Sequence, residues 1–234
     1  MELFDKTPPK KLSKDGSIGF SLFLPILAGC AASIFFEFLS KNKLNENTKN
    51  IIILGSKGSG KTTLWRQLQN KILDLSTTPT DETPIESFHI FANGRFVKVP
   101  PTKDIGGGND WVNSYESIIN KDGTYIYYLV DLTNLHHKNM ALEIRARLIK
   151  ISSIIKDKKL KDCGCKILLT NKATYDKRLK KKFDLPLTHA KNLLNLNTKG
   201  LSFKIDDIMM PIELTNSSDI DKIKKEITSN QNTK

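Results

Sequence analysis

The 234-residue chain predicts an α/β domain, a mostly parallel sheet flanked by helices, preceded by an apolar segment long enough for a transmembrane helix. Three observations carry this. The run Ile51-Ile52-Ile53-Leu54 feeds Gly55-Ser56-Lys57-Gly58-Ser59-Gly60-Lys61-Thr62, which opens a helix-compatible stretch. That is the strand–GxxxxGK[ST]–helix order of a phosphate-binding loop. Further on, apolar runs at 125–130 and 166–170 alternate with helical patterns, as βαβ units require. Near the N-terminus, no charged residue stands between Asp15 and Glu37.

Each part of the glycine-rich loop has a chemical reason. Gly55, Gly58 and Gly60 allow backbone angles that aim successive N–H groups at one anion. The N-terminus of the following helix adds partial positive charge. Lys61 can reach β- and γ-phosphates, and the Thr62 hydroxyl can ligate Mg²⁺. The alternative, a chance glycine-rich turn, does not account for the strand-to-helix setting.

The N-terminal region divides by composition. Residues 1–15 are polar, with Pro8, Pro9 and four lysines, and read as a disordered tail. Residues 16–39 read as a membrane anchor and 40–49 as a polar linker, ahead of the α/β domain at 50–228 and a tail at 229–234. Two other readings of the apolar run compete. Leu27-Ala28-Gly29-Cys30 looks like a lipobox, but the run continues past Cys30 and export would part a nucleotide site from its nucleotide. A core or interfacial helix would need a stronger polar face. Lysines flank both ends of the run, so charge does not orient it. Nucleotide access requires the domain to face the cytoplasm.

The formal net charge of +12 favours anionic surfaces, yet the basic runs at 156–161 and 177–182 lack interleaved aromatics. Nothing specific points to nucleic acid. Cys30, Cys163 and Cys165 form no disulfide or zinc framework, and Cys163-Gly164-Cys165 reads as a reduced loop before a strand.

After the phosphate loop, Leu64, Leu68, Ile72 and Leu75 have helical spacing over 61–75. Residues 76–84 read as a loop, and 85–91 and 96–99 as a hairpin around Asn93-Gly94, stopped by Pro100 and Pro101. Asp104-Ile105-Gly106-Gly107-Gly108 follows. A carboxylate succeeded by glycines can hold a metal-bound water and bring an N–H to a terminal phosphate; a plain flexible turn is the other reading. A helix is expected over 139–156, loosely helical chain over 177–200, a last strand over 211–214, and a final helix over 219–227 capped by Ser217 or Ser218. The four histidines are scattered and read as surface or loop residues. Trp65 reads as core with its N–H partnered, and Trp111 as either a partner contact or packing beneath a loop.

This order of motifs resembles the Ras-like small GTPases over residues 49–228, the Arf-like branch above all. Asp104-Ile105-Gly106-Gly107 looks like the Arf Asp-x-Gly-Gly, and Leu129-Val130-Asp131-Leu132-Thr133-Asn134 is similar to the fourth strand and its ending. Thr170-Asn171-Lys172 resembles the start of the guanine motif, and Leu214-Thr215-Asn216-Ser217 sits where the last base-contacting loop lies. With an anchor ahead, the layout is similar to the signal recognition particle receptor β-subunit.

The resemblance implies a P-loop domain of small-GTPase type that binds GTP or GDP with Mg²⁺ and answers to a protein effector or activator. It places Gly55 to Thr62, Thr63, Gly107, Asn171, Lys172, Thr174, Thr215, Asn216 and Ser217 in the nucleotide site. It puts Thr62, Asp104 and a switch threonine, Thr80 or Thr83 with Thr80 favoured, at the metal, and Lys61 and Asn109 at the chemistry. Two departures matter. Thr174 stands where the guanine motif ends in aspartate, and a hydroxyl replaces only part of that carboxylate's pairing with the base. Gly108 stands where the water-positioning glutamine is expected, leaving Asn109 as a shorter substitute. The expected function is a membrane-anchored GTP switch with slow hydrolysis. The alternatives are a non-hydrolysing interaction module, favoured by Gly108, or an ATP-using P-loop enzyme, left open by Thr174.

Overall fold

The computed structural model describes residues 47–72, 82–183, 185–194 and 209–229. In chain order the strands are β1 (Ile51–Gly55), β2 (Glu82–Ile85), β3 (Phe88–Ala92), β4 (Arg95–Val99), β5 (Thr102–Ile105), β6 (Tyr125–Asp131), β7 (Gly164–Thr170) and β8 (Met209–Pro211). The helices are α1 (Lys61–Leu68), α2 (Tyr115–Ile118), α3 (Lys138–Asp157), α4 (Lys172–Arg178), α5 (Pro186–Leu194) and α6 (Ser217–Thr228), with a 3₁₀ segment at Asn109–Ser114 ahead of α2.

The organising sheet runs β1-β6-β7-β8, with every neighbouring pair parallel. Parallel strands bury both faces, which is why β1 and the body of β6 read as unbroken apolar runs. Alternation still sorts the side chains. Ile52, Leu54, Ile126, Tyr128 and Val130 join one core with Ile144, Leu148 and Ile151 of α3. Ile51, Ile53, Tyr127 and Leu129 join a second with Leu64, Trp65 and Leu68 of α1 and Ile220, Ile223 and Ile227 of α6. Each buried Leu or Ile contributes about 1.5–3 kcal/mol, so together the two cores fix the strand ends that carry the loops.

Between β1 and β6 the chain makes a long antiparallel excursion. The expected hairpin forms at Asn93-Gly94 as β3 and β4, and it continues past Pro100-Pro101 as a second pair, β2 with β5. The prolines interrupt the ladder without ending it. As a result Asp104 lies within a strand, with Thr83 as its cross-strand partner.

Several boundaries differ from the sequence reading. Helix α1 stops at Leu68, because Asn70 takes a left-handed conformation (φ 55°) and the Lys71 N–H bonds Arg66 O at 2.9 Å, a Schellman-type closure. Ile72 is consequently 93% exposed. The last strand is Met209–Pro211, earlier than expected. The Ile212 N–H still reaches Leu169 O at 2.9 Å before the chain turns. Asn216 caps α6, its side chain accepting from the Ser218 N–H, so the cap is neither Ser217 nor Ser218. His189 is buried and stacked on Phe183, unlike a surface histidine. Trp65 is in the core as expected, but its indole N–H has no partner among the described residues.

The expected anchor at 16–39, Thr80 and Cys30 lie outside the described residues. Among the described residues, no helix is long and apolar enough to cross a membrane.

Candidate phosphate and nucleotide site

The loop between β1 and α1 is shaped by what packs around it. Gly60 has φ 94°, and a Cβ there would stand 2.3 Å from Leu214 Cδ1. Only glycine lets the loop close so tightly on the segment after β8. The Ser59 hydroxyl donates to Ser56 O at 2.8 Å, and the buried Thr170 hydroxyl at the end of β7 donates to Ser59 O at 3.0 Å. Gln67 of α1 donates to Leu214 O at 3.2 Å. The loop is thus tied to the ends of β7 and β8, where the base-side motifs begin.

Lys61 is buried, and its ammonium folds back to donate to Gly55 O at 3.2 Å and Ser56 O at 3.1 Å. Burial lowers its pKa to about 8; Asp104 opposes this and Arg147 adds to it. Asp104, from β5, accepts from the Thr62 hydroxyl at 2.5 Å. Burial pushes its carboxyl upward, against the Thr62 hydrogen bond and the charges of Lys61 and Arg66. Asp104 Oδ1 is buried without a partner among the described residues.

Gly107 lies flat on the phosphate loop. A Cβ there would come within 2.2 Å of Lys57 N and 2.4 Å of the Ser56 carbonyl carbon, so no larger residue fits. Trp111 covers the neighbouring Gly106, the packing alternative of the two considered for it. Asn109 starts the 3₁₀ segment, and its amide oxygen is bonded at 2.9 Å by Arg147 of α3. Thr83 is exposed opposite Asp104.

Where the resemblance expects the base, Asn171 caps α4 in a left-handed conformation (φ 58°), followed by Lys172 and a half-buried Thr174 within the helix. Glu213 joins the two base-side loops, accepting from Ala173 N at 3.1 Å and from the Thr215 hydroxyl at 3.2 Å. Asn216 is engaged as the cap of α6, and Ser217 begins that helix. Arg147, Glu213 and Thr170 were missed in the sequence. Arg147 and Glu213 belong to no motif, and Thr170, although it opens the segment resembling the guanine motif, was given no role there; only a basic residue within α3 and an acid beside Leu214 marked the other two.

A buried lysine held next to carbonyl oxygens at a glycine-rich loop, and a hydroxyl–carboxylate pair with a spare oxygen, fit an anionic phosphate chain with a divalent cation. The sequence model of the ADP-ribosylation factor family matches residues 35–226. The chain belongs to the ADP-ribosylation factor family. A search of curated proteins finds no match to it. As a member of the ADP-ribosylation factor family, it is a GTP-binding switch protein of the small-GTPase type, which decides against the ATP-using reading.

Proposed function

We propose that the chain is a membrane-anchored switch that binds GTP with Mg²⁺ and hydrolyses it slowly. The observation that carries this is the Thr62–Asp104 hydrogen bond at 2.5 Å beside Lys61. It joins the phosphate loop to the Asp-x-Gly-Gly segment at the spot a metal-bound triphosphate needs. In this reading Lys61 stabilises charge on the transferring phosphoryl group, and loop amides from Gly55 to Thr63 hold the phosphate chain. Thr62 and Asp104, with Thr80 or Thr83, hold the metal directly or through water. When bound, Mg²⁺ supplies neutralisation of charge on the phosphate oxygens. Gly107 presents its amide to the terminal phosphate. Asn171, Lys172, Thr174, Thr215, Asn216 and Ser217 frame the base, with the Thr174 hydroxyl in place of a carboxylate. Residues 16–39 anchor the domain on the cytoplasmic side of a membrane.

A specific observation favours the non-hydrolysing alternative. The Asn109 amide oxygen, which would have to accept from an attacking water, is committed to Arg147. Nucleotide titration and single-turnover hydrolysis with the full chain separate the readings. GTP and GDP bind with Mg²⁺ in preference to ATP and XTP, Lys61→Ala abolishes binding, and phosphate appears slowly. No phosphate release, even with cell extract added, selects the non-hydrolysing switch; preference for ATP overturns both.

A further inference from the structure

Arg147 of α3 is only 2% exposed, and it belongs to no motif in the sequence. Burying a guanidinium is costly; Nε and Nη1 have no hydrogen-bond partner among the described residues, so the contacts of Nη2 indicate what it is there to hold. Nη2 donates to Gly107 O at 2.9 Å and to Asn109 Oδ1 at 2.9 Å. The same nitrogen pairs with Glu143 one turn earlier on α3 at 2.6 Å. Helix α3 itself is locked into the core by Ile144, Leu148 and Ile151, so the guanidinium is presented from a rigid element.

The loop it meets is pinned from the other side as well. Gly107 lies against the backbone of Ser56 and Lys57, and Asp104 is held by Thr62. Without Arg147, three glycines in a row, Gly106 to Gly108, would leave this segment few restraints of its own. Its partner Gly107 lies on the phosphate loop, and the charge of Arg147 also acts on Lys61.

We propose that Arg147 is the positioning residue of the phosphate-sensing loop, fixing Gly107 against the phosphate loop and holding Asn109 by its amide oxygen. The inference rests on the reading of this site as a GTP site. Two consequences follow from the geometry. The backbone at Gly107 is set in place before nucleotide arrives, so discrimination of GTP from GDP depends on Arg147 although it touches neither. Asn109 is oriented with its acceptor turned to α3, so in a chain that has Gly108 in place of glutamine the expected turnover is slow.

The test is the ratio of GTP to GDP affinity, with Mg²⁺, for the full chain, Arg147→Met and Arg147→Lys. Lysine keeps the charge without the planar guanidinium, so it also covers the case in which the methionine variant does not fold. The expected result is a fall in GTP affinity of about tenfold, the scale of one charge-assisted hydrogen bond to phosphate, with GDP affinity within about twofold of wild type. Affinities that are unchanged, or that fall together for both nucleotides, overturn the positioning role while leaving the GTP reading intact. A wild-type chain that binds neither nucleotide overturns both.

Discussion

At the scale of single residues, Lys61 shows how a site built for an anion is uncomfortable alone. Its ammonium is buried beside two carbonyl oxygens, and the charge of Arg147 adds to the lowering of its pKa. The unfolded chain keeps that proton up to the ordinary 10.5, while the folded nucleotide-free chain gives it up near 8. Between those pH values the unfolded state binds more protons, so stability of the nucleotide-free protein rises with pH across that window, by about 2–3 kcal/mol. Thermal melts from pH 7 to 10.5 are expected to show this rise, and Lys61→Met is expected to flatten it while abolishing nucleotide binding. A similar rise in the methionine variant would assign the effect to another group. Cys165 contrasts with Lys61. Burial pushes its thiol up to about 12, and its position within β7 makes it a packing residue with no reactive role.

At the scale of elements, the site is assembled where strand ends meet helix starts, and the caps decide how firmly. Asn216 accepts from the Ser218 N–H at 2.9 Å and starts α6, whose Ile220, Ile223 and Ile227 complete one of the two cores. Asn216→Ala is expected to cost about 1 kcal/mol of stability, read as a lowered melting temperature. If Asn216 also meets the base, nucleotide affinity falls beyond what that loss explains; an unchanged affinity leaves it a cap only. Glu226 of α6 reaches across the same face, accepting from the Tyr125 hydroxyl at 2.9 Å and pairing with Lys166. The helix is therefore held to β6 and β7 by polar as well as apolar contacts. The long hairpin is the element least anticipated by local pattern. Pro100 and Pro101 read as a stop, yet β5 resumes beyond them with β2 as partner. A proline removes one donor, and a ladder can restart two residues on where the opposite strand is in register.

At the scale of the whole molecule, the expected membrane anchor can be tested directly. The full chain is expected to stay with membranes through an alkaline carbonate wash, and residues 47–234 to be released; release of both would remove the anchor. Much of the fold was legible because its signals are local. The apolar runs of β1, β6 and β7, the glycine spacing of the phosphate loop, the Asn93-Gly94 turn and the helical period of α3 each need only neighbouring residues. The same holds for half of the site: Gly55 to Thr62, Asp104 with Gly107, and Asn171 with Lys172 are motifs because their chemistry requires fixed spacing. What was not legible depends on distance in the chain. Arg147 is one of several basic residues on α3 until the sheet carries Gly107 and Asn109 to it. Glu213 is an ordinary acid until Ala173 and Thr215 both turn toward it, and His189 looks like a surface histidine until Phe183 stacks on it. By itself the sequence determined that a phosphate loop, an Asp-Ile-Gly-Gly segment and the opening of a guanine motif occur in family order. Tertiary structure alone decided which side chains hold those motifs in place, because the free energy of a buried guanidinium or carboxylate is set by the partners that packing brings to it.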